Sequence, residues 1–488
     1  MTSQVQDAGG AVVEVRPAPG FFQTLMGRWR ESQLARAVGW GPSAPKTDLD
    51  ASDLARLRQL MRDCLAARGG EASASARAIQ LGTEYLSLST AGRRAFQGLL
   101  AHEFDVTRAT VETAAQTLLD IPKDGDGGKD DAAWRSAAAA LRTALTPPRT
   151  RLLTQFNALP QGTKFLVDMR ADLLSFGRED PALAAVEQDL KGILAAWFDV
   201  GFLDLQRITW DSPASLLEKL ARYEAVHTVR SWDDLKNRLD RDRRLFAFFH
   251  PRMPDEPLIF IEVALVSGLA DNVTELLDET APAGDPHQAD TAIFYSISNA
   301  QKGLAGISFG GFLIKRVVDL LRVEFPRLKT FATLSPIPGF RAWLDAEIAT
   351  GKPGLLTSAE RKALAAATGG KGGKGAFKKL IESDDWILNP NAVAALKAPL
   401  VRLCARYLVE NRRADGRARD PVAHFHLSNG ARVERINWLG DTSPNGLRQS
   451  CGLMVNYAYR LAEIEDNHEA YARGQPIRTS SAVKSLLG

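Results

Sequence analysis

The sequence predicts an α+β protein: an N-terminal all-α helical bundle, then a mixed β-sheet domain flanked by helices. Three observations carry this. From Thr47 to about Phe198, apolar residues recur at helical spacing. Beyond Leu203, short apolar and β-branched runs alternate with helical ones. Between Ala289 and Phe340 the order is strand, glycine-rich turn, helix, strand, and the second half of the chain is organised around this stretch.

Bulk properties narrow the class. With 488 residues, 45% hydrophobic and 24% charged, the composition is that of a soluble globular protein. The pattern divides it into residues 1–20, which read as disordered, a helical packing domain over 21–200, and a second domain over 201–488. A net charge of +3 is too small to argue for nucleic acid. Cys64, Cys404 and Cys451 are far apart and odd in number, which fits a reducing compartment and neither a disulfide framework nor a zinc site. No apolar run approaches the ~20 residues of a membrane span. Met1 to Pro19 lacks a signal-peptide core. Arg28, Arg30 and Arg36 between aromatics give Phe21 to Trp40 a transit-like texture, which Asp7, Glu14 and Glu31 oppose. The terminal Ser-Leu-Leu-Gly is not a peroxisomal address, so the simplest expectation is cytoplasmic.

In the helical part, Asp50 or Ser52 can cap a helix burying Leu54, Leu57, Met61 and Leu65. Ser89-Thr90 precedes a helix through Phe96, Leu99 and Leu100, and Pro181 opens one carrying Leu190, Leu194 and Trp197. The acidic, glycine-rich run from Asp124 to Asp131 lacks EF-hand spacing and reads as a solvated turn. No catalytic cluster stands out here. The reading is a bundle for packing and subunit contacts, and hence a homo-oligomer.

In the second part, Leu216 to Tyr223 reads as helical, and Ser231 can cap Trp232 to Leu239. Leu245 to Phe249 and Leu258 to Leu265 read as adjacent strands. Thr291 to Ser298 reads as the next strand, followed by the glycine-rich turn and a helix through Leu313, Val317 and Leu321 that Pro326 ends. Thr330 to Leu334 is a strand that runs into Ser335-Pro336-Ile337-Pro338. Gly369 to Gly375 reads as an exposed loop, and Pro399 as the first turn of a helix to about Glu410. Pro421 to Leu427 and Val433 to Leu439 read as the last strands, with a hairpin turn at Ser428-Asn429-Gly430, and Cys451 to Ile464 as the last packed helix.

A glycine-rich turn between strand and helix can build an anion site, because unpaired helical N–H groups and the helix dipole favour a phosphate. The alternative is a tight turn that only packs a helix on a sheet. The turn is not a Walker loop, and its glycine spacing is not a Rossmann fingerprint. Three further residues invite a chemical reading. His424 and His426 alternate with Phe425 and Leu427 and would share one strand face, structural or catalytic. Ser335 is a turn former or a positioned hydroxyl. Tyr459 is a helix tyrosine at a packing surface or a hydrogen-bond donor.

Several runs resemble the malonyl-CoA decarboxylase family. They include Ile293-Phe294-Tyr295-Ser296-Ile297-Ser298, the Gly-Leu-x-Gly turn, Phe312-Leu313-Ile314-Lys315-Arg316-Val317-Val318 and Leu334-Ser335-Pro336-Ile337-Pro338-Gly339-Phe340. They also include Ile208-Thr209-Trp210, Glu224-Ala225-Val226-His227, Phe425-His426-Leu427-x-Asn429-Gly430, Arg435-Ile436-Asn437-Trp438 and Ser450-Cys451-Gly452-Leu453-Met454-x-Asn456-Tyr457, the last continuing to Tyr459. The matches run in family order from about Leu205 to Tyr459, while the first third is similar mainly in its helical character.

The resemblance implies an acetyltransferase-like (GNAT) catalytic domain, which a mixed sheet with a phosphate-cradling turn also fits. It implies decarboxylation of malonyl-CoA to acetyl-CoA and carbon dioxide with no cofactor and no metal, since coenzyme A is part of the substrate. The turn residues Gly303, Leu304, Ala305, Gly306, Ile307, Ser308, Phe309 and Gly310 would hold the pyrophosphate. Ser335 would orient the malonyl group, His426 would protonate the enolate as an imidazole titrating near neutrality, and Tyr459 would assist. Where some relatives carry a glutamate that positions the histidine, this chain has Ser308, so a carboxylate orienter would come from elsewhere or be absent. Glu262 is one candidate, or simply a strand-end carboxylate in water. Two other functions fit the same pattern: an acyl-CoA-dependent N-acyltransferase and a non-catalytic acyl-CoA sensor.

Overall fold

The computed structural model describes residues 4–6, 12–14, 48–67, 70–121, 129–177, 180–198, 200–307, 312–350, 354–370, 373–383 and 385–487. They fall into two compact units: Met1–Asp199 with Gln301–Ser308, and Val200–Ala300 with Phe309–Gly488. Within the stretch expected to be disordered, β1 (Gln4–Gln6) and β2 (Val12–Glu14) pair antiparallel. The transit-like stretch lies outside the described residues, as does most of the acidic loop after Asp124.

The first unit is helical: α1 (Ala51–Leu65), α2 (Glu71–Ser87), α3 (Thr90–Glu103), α4 (Arg108–Leu119), α5 (Lys129–Ala144), α6 (Pro148–Gln155), α7 (Gly162–Ser175) and α8 (Pro181–Trp197). Their starts follow local chemistry. Asp50 closes a capping box with Asp53, Ser89 accepts from the Gly92 N–H, and Asp180 accepts from the Ala182 and Leu183 N–H groups ahead of Pro181. The apolar stripes meet in a core where the Tyr85 ring lies edge-on to Phe96 at 5.2 Å and to Phe165 at 5.6 Å. Gln301–Ser308 belongs to this unit. The buried Arg170 donates to the carbonyls of Gly303 and Ala305 while pairing with Glu187. Gly303 sits so close to α7 that a Cβ would collide with the Val167 carbonyl.

The second unit holds the sheet: β3 (Asp204–Ile208), β4 (Arg243–Phe249), β5 (Ile259–Val266), β6 (Thr291–Asn299), β7 (Thr330–Thr333), β8 (Ser335–Pro336), β9 (Arg432–Asn437) and β10 (Met454–Ala458). The order is β3-β4-β5-β6-β7-β10-β8, with β9 also on β10. All pairings are antiparallel except β6–β7, which are parallel because a helix-containing crossover joins them. The helices are α9 (Ala214–Tyr223), α10 (Trp232–Asn237), α11 (Val273–Leu276), α12 (Phe312–Glu324), α13 (Phe340–Thr350), α14 (Ser358–Ala367), α15 (Lys374–Glu382), α16 (Pro390–Val409), α17 (Pro421–Ser428), α18 (Pro444–Ser450), α19 (Ile464–Ala472) and α20 (Ser481–Lys484). One core joins Leu217, Leu220 and Leu235 of α9 and α10 to Leu245, Phe249 and Phe260. Another joins Val273 and Leu276 of α11 to Ile293, Leu334 and Met454.

Four expectations are corrected. Pro421 to Leu427 is not a strand but the body of α17, because Asp420 accepts from the Val422 and Ala423 N–H groups and Pro421 takes the first helical position. No hairpin therefore precedes β9. Pro399 lies inside α16, which begins nine residues earlier where Asn389 caps Pro390. Cys451 to Ile464 is not a helix: Cys451 adopts φ +52° at the end of α18, and Met454–Ala458 is the buried strand β10. Tyr459 thus follows a strand. Glu262 is not a solvated strand end, since it is buried within β5 and paired with Arg238 at 3.1 Å.

Candidate active site

The β6–β7 ladder runs from Thr291↔Thr330 to Phe294↔Thr333, and the Leu334 N–H then donates to the Phe294 carbonyl at 3.0 Å. There the strands part. β6 continues on β5 as far as Asn299↔Ile259, whereas Ser335 and Pro336 pair with Val455 and Met454 of β10. Pro336 and Pro338 stiffen the turn that follows. Ser335 is therefore held on the β10 side of the divergence.

Its hydroxyl lies 2.8 Å from the Thr333 hydroxyl oxygen and 3.2 Å from His426 Nε2. On the other side of the ring, His426 Nδ1 lies 2.8 Å from the Tyr459 hydroxyl. The ring stacks on Tyr457 with centroids 4.7 Å apart and planes 25° apart. Ser335, His426 and Tyr459, three residues far apart in the sequence, meet in one buried hydrogen-bonded chain. The group beside His426 Nδ1 is a phenol and no carboxylate, and Glu262 bonds Arg238 instead.

Burial pushes the imidazole of His426 down from the usual 6.5 to about 3, which favours a neutral ring at neutral pH. Burial likewise pushes the hydroxyls of Tyr459 and Tyr457 well above the usual phenol range. At rest, an arrangement of this kind links hydroxyls and a neutral imidazole along a proton path with no charge on the ring or its two partners.

Three members, Thr333, Tyr457 and Asp420, have no role in the sequence reading, although Tyr457 lies in one of its motifs. Thr333 accepts the Tyr457 N–H at 3.1 Å on its hydroxyl, and its carbonyl accepts the Asn456 amide at 2.7 Å. Tyr457 supplies the stacking face. Asp420 ties the two halves together: one oxygen caps α17, which carries His426, and the other accepts from the Gly339 N–H at 3.3 Å, in the turn after Ser335. A Cβ at Gly339 would collide with the Tyr407 hydroxyl, so glycine is required there. The Asp-Pro pair before Phe425 was the available signal, since it marks a cap and a first helical residue.

A second buried cluster lies elsewhere in the unit. Glu224 accepts from the Ser296 and Ser298 hydroxyls and from the Val226 and His227 N–H groups. Arg238 bonds Asp234 and Glu262. Burial, and then the charge of Glu224, raise Glu262 to about 7 against the pull of Arg238.

Of the proposed coenzyme A turn, Gly303, Leu304, Ala305, Gly306 and Ile307 are described. Ala305 and Gly306 are exposed, and Gly306 has φ +71°. Ser308, Phe309 and Gly310 lie outside the described residues. Among the described residues, no group of three or more His, Cys, Asp or Glu side chains could hold a metal ion. No described helix is long and apolar enough to cross a membrane.

The malonyl-CoA decarboxylase C-terminal domain matches residues 201–488, and the N-terminal domain of the same family matches residues 104–198. Mitochondrial malonyl-CoA decarboxylase of Anser anser anser is 39% identical over 416 residues, covering 83% of this chain and 81% of the relative. The Rattus norvegicus counterpart is 39% identical over 415 residues, covering 83% of each. Among solved structures, the malonyl-CoA decarboxylase of Rhodopseudomonas palustris superposes with a TM-score of 0.79 at 42% identity, covering 88% of this chain and 99% of that one. That of Agrobacterium vitis gives 0.78 at 40% identity, covering 89% and 100%. The chain therefore belongs to the malonyl-CoA decarboxylase family of carboxy-lyases, with both its helical and its sheet domain.

Proposed function

We propose that this chain converts malonyl-CoA to acetyl-CoA and carbon dioxide. The observation that carries the reading is the buried chain Ser335–His426–Tyr459, with its contacts of 3.2 and 2.8 Å, in a protein that matches both domains of the family. The malonyl carboxylate is β to a thioester carbonyl. When the bond between the two carbons breaks, its electron pair moves into the thioester as an enolate, and carbon dioxide leaves. Ser335 orients the malonyl group. The enolate carbon is a far stronger base than imidazole or phenolate, so a neutral His426 suffices as donor. Nε2 gives its proton to carbon as Nδ1 takes the Tyr459 proton; the phenolate then takes that proton back from Nδ1 while Nε2 regains one from solvent, which restores the starting tautomer. The turn Gly303 to Gly311 receives the coenzyme A pyrophosphate, which the exposed, positive-φ Gly306 supports.

The test is incubation with malonyl-CoA alone, following acetyl-CoA and carbon dioxide, with His426→Ala in parallel. Turnover that disappears in the variant is the expected result. Product that forms only with an added amine would mean an acyltransferase, and tight binding without turnover would mean a sensor. The same reading places the protein in the cytoplasm as a homo-oligomer. Its three free, buried cysteines support a reducing compartment, and fractionation and light scattering test the two points.

A further inference from the structure

Thr333 lies outside the proposed chemistry, yet it accepts three hydrogen bonds from residues at the site. It is buried at 1% exposure. Its hydroxyl oxygen accepts the Ser335 O–H at 2.8 Å and the Tyr457 N–H at 3.1 Å. Its carbonyl is pinned by the Asn456 amide at 2.7 Å, and its backbone pairs with Phe294 of β6. Thr333 is therefore fixed from the strands on both sides, and its hydroxyl oxygen has a set direction.

Proton bookkeeping follows from that direction. A serine hydroxyl carries one hydrogen. Because Ser335 donates it to Thr333, Ser335 has none for His426 and meets Nε2 as an acceptor. Nε2 must then carry the imidazole proton. In a neutral ring Nδ1 is consequently the acceptor, and it takes the Tyr459 O–H at 2.8 Å. Every bond of the chain points one way, from Tyr459 through His426 and Ser335 to Thr333.

We propose that Thr333 is a positioning residue: by taking the Ser335 proton it holds the proton of His426 on Nε2, the nitrogen that faces Ser335 and the reacting group. The mechanism above needs the proton on that nitrogen. Without the Thr333 acceptor the Ser335 hydroxyl is free to turn and donate to Nε2. The ring proton then moves to Nδ1, on the side of Tyr459, where it is of no use to the enolate. This inference rests on the decarboxylase reading only for its kinetic consequence; the tautomer is a property of the resting protein.

The experiment uses full-length protein labelled with ¹⁵N at histidine, with His426 identified by its loss in His426→Gln. Two-bond ¹H–¹⁵N correlations distinguish Nε2–H from Nδ1–H. The wild type is expected to show Nε2–H at neutral pH. Thr333→Val keeps the shape and removes the hydroxyl. It is expected to shift the ring toward Nδ1–H and to lower kcat about tenfold with KM changed less than twofold, while Thr333→Ser restores both. A Thr333→Val protein that keeps a pure Nε2–H signal overturns the proposal, whatever its activity. So does a wild type whose His426 is Nδ1–H, a result that needs no variant to fold. If the wild type shows Nε2–H but does not turn over malonyl-CoA, the function fails and the tautomer assignment stands.

Discussion

Arg238 lies between Asp234 and Glu262, buried with both, at 2.8 and 3.1 Å; His426 lies between Ser335 and Tyr459, and both its partners are hydroxyls. Both clusters sit inside the same unit. The first holds the charge of Arg238 in the interior between two carboxyl groups, one of them Glu262 raised to about 7, and depends on pairing to hold it. The second keeps no charge at all and depends on the direction of its hydrogens. The comparison teaches why the second is the one suited to proton transfer. A paired arginine is locked by its partners, whereas a neutral imidazole between two hydroxyls can give a proton on one side and take one on the other.

The comparison breaks most visibly at His426. His426→Ala is expected to lower kcat about 1,000-fold while the thermal midpoint moves by a few degrees, read by acetyl-CoA formation and calorimetry. Turnover within tenfold of wild type would remove the histidine from the chemistry. Ser335→Ala is expected to lower kcat roughly 100-fold with a smaller change in KM. Arg238→Met should do the reverse. Stranding two buried carboxylates costs about 3–5 kcal/mol of stability in urea, while kcat of the folded fraction stays near wild type.

Acidity separates the two clusters by sign. Above its ordinary value of 6.5, His426 is neutral in both folded and unfolded chains and adds no pH dependence. Between 6.5 and about 3 the unfolded chain binds a proton that the folded one refuses, so stability falls by ~1.4 kcal/mol per unit as the pH drops. Glu262 has the opposite slope. Between its ordinary 4.5 and about 7 the folded chain holds the extra proton, so its contribution is present at low pH and is lost as the pH rises. His426→Gln should flatten the first slope and Glu262→Gln the second in urea titrations across pH. The smallest effect is expected at Asp420. Asp420→Asn keeps a good cap and should be near neutral, whereas Asp420→Ala loses both the cap and the Gly339 bond, for about 1–2 kcal/mol and a several-fold loss of kcat.

Much of the fold was legible because its causes are local. Asp50, Ser89 and Ser231 cap helices, and Pro181 opens one, where their position in the sequence announces them. The strands at Leu245, Leu258, Thr291 and Thr330 appear where β-branched and aromatic runs predict them. The errors cluster around α17 and β10. The alternation of His424, Phe425, His426 and Leu427 imitates a strand, and the Asp420-Pro421 cap outweighs it. The run from Met454 to Ala458 is buried at every position, so it shows no period to separate strand from helix.

The family, the division into a helical and a sheet part, the strands from Leu245 to Thr330 and the three candidate side chains Ser335, His426 and Tyr459 are legible in the sequence alone. These depend on residue identity and near neighbours. Only the tertiary structure decided that the three form one hydrogen-bonded chain, that burial favours a neutral histidine, that the group beside its Nδ1 is a phenol, and that Thr333 and Asp420 hold the ends. Those properties depend on burial and on contacts between residues 91 and 33 positions apart, and hydrophobic periodicity carries no information about either.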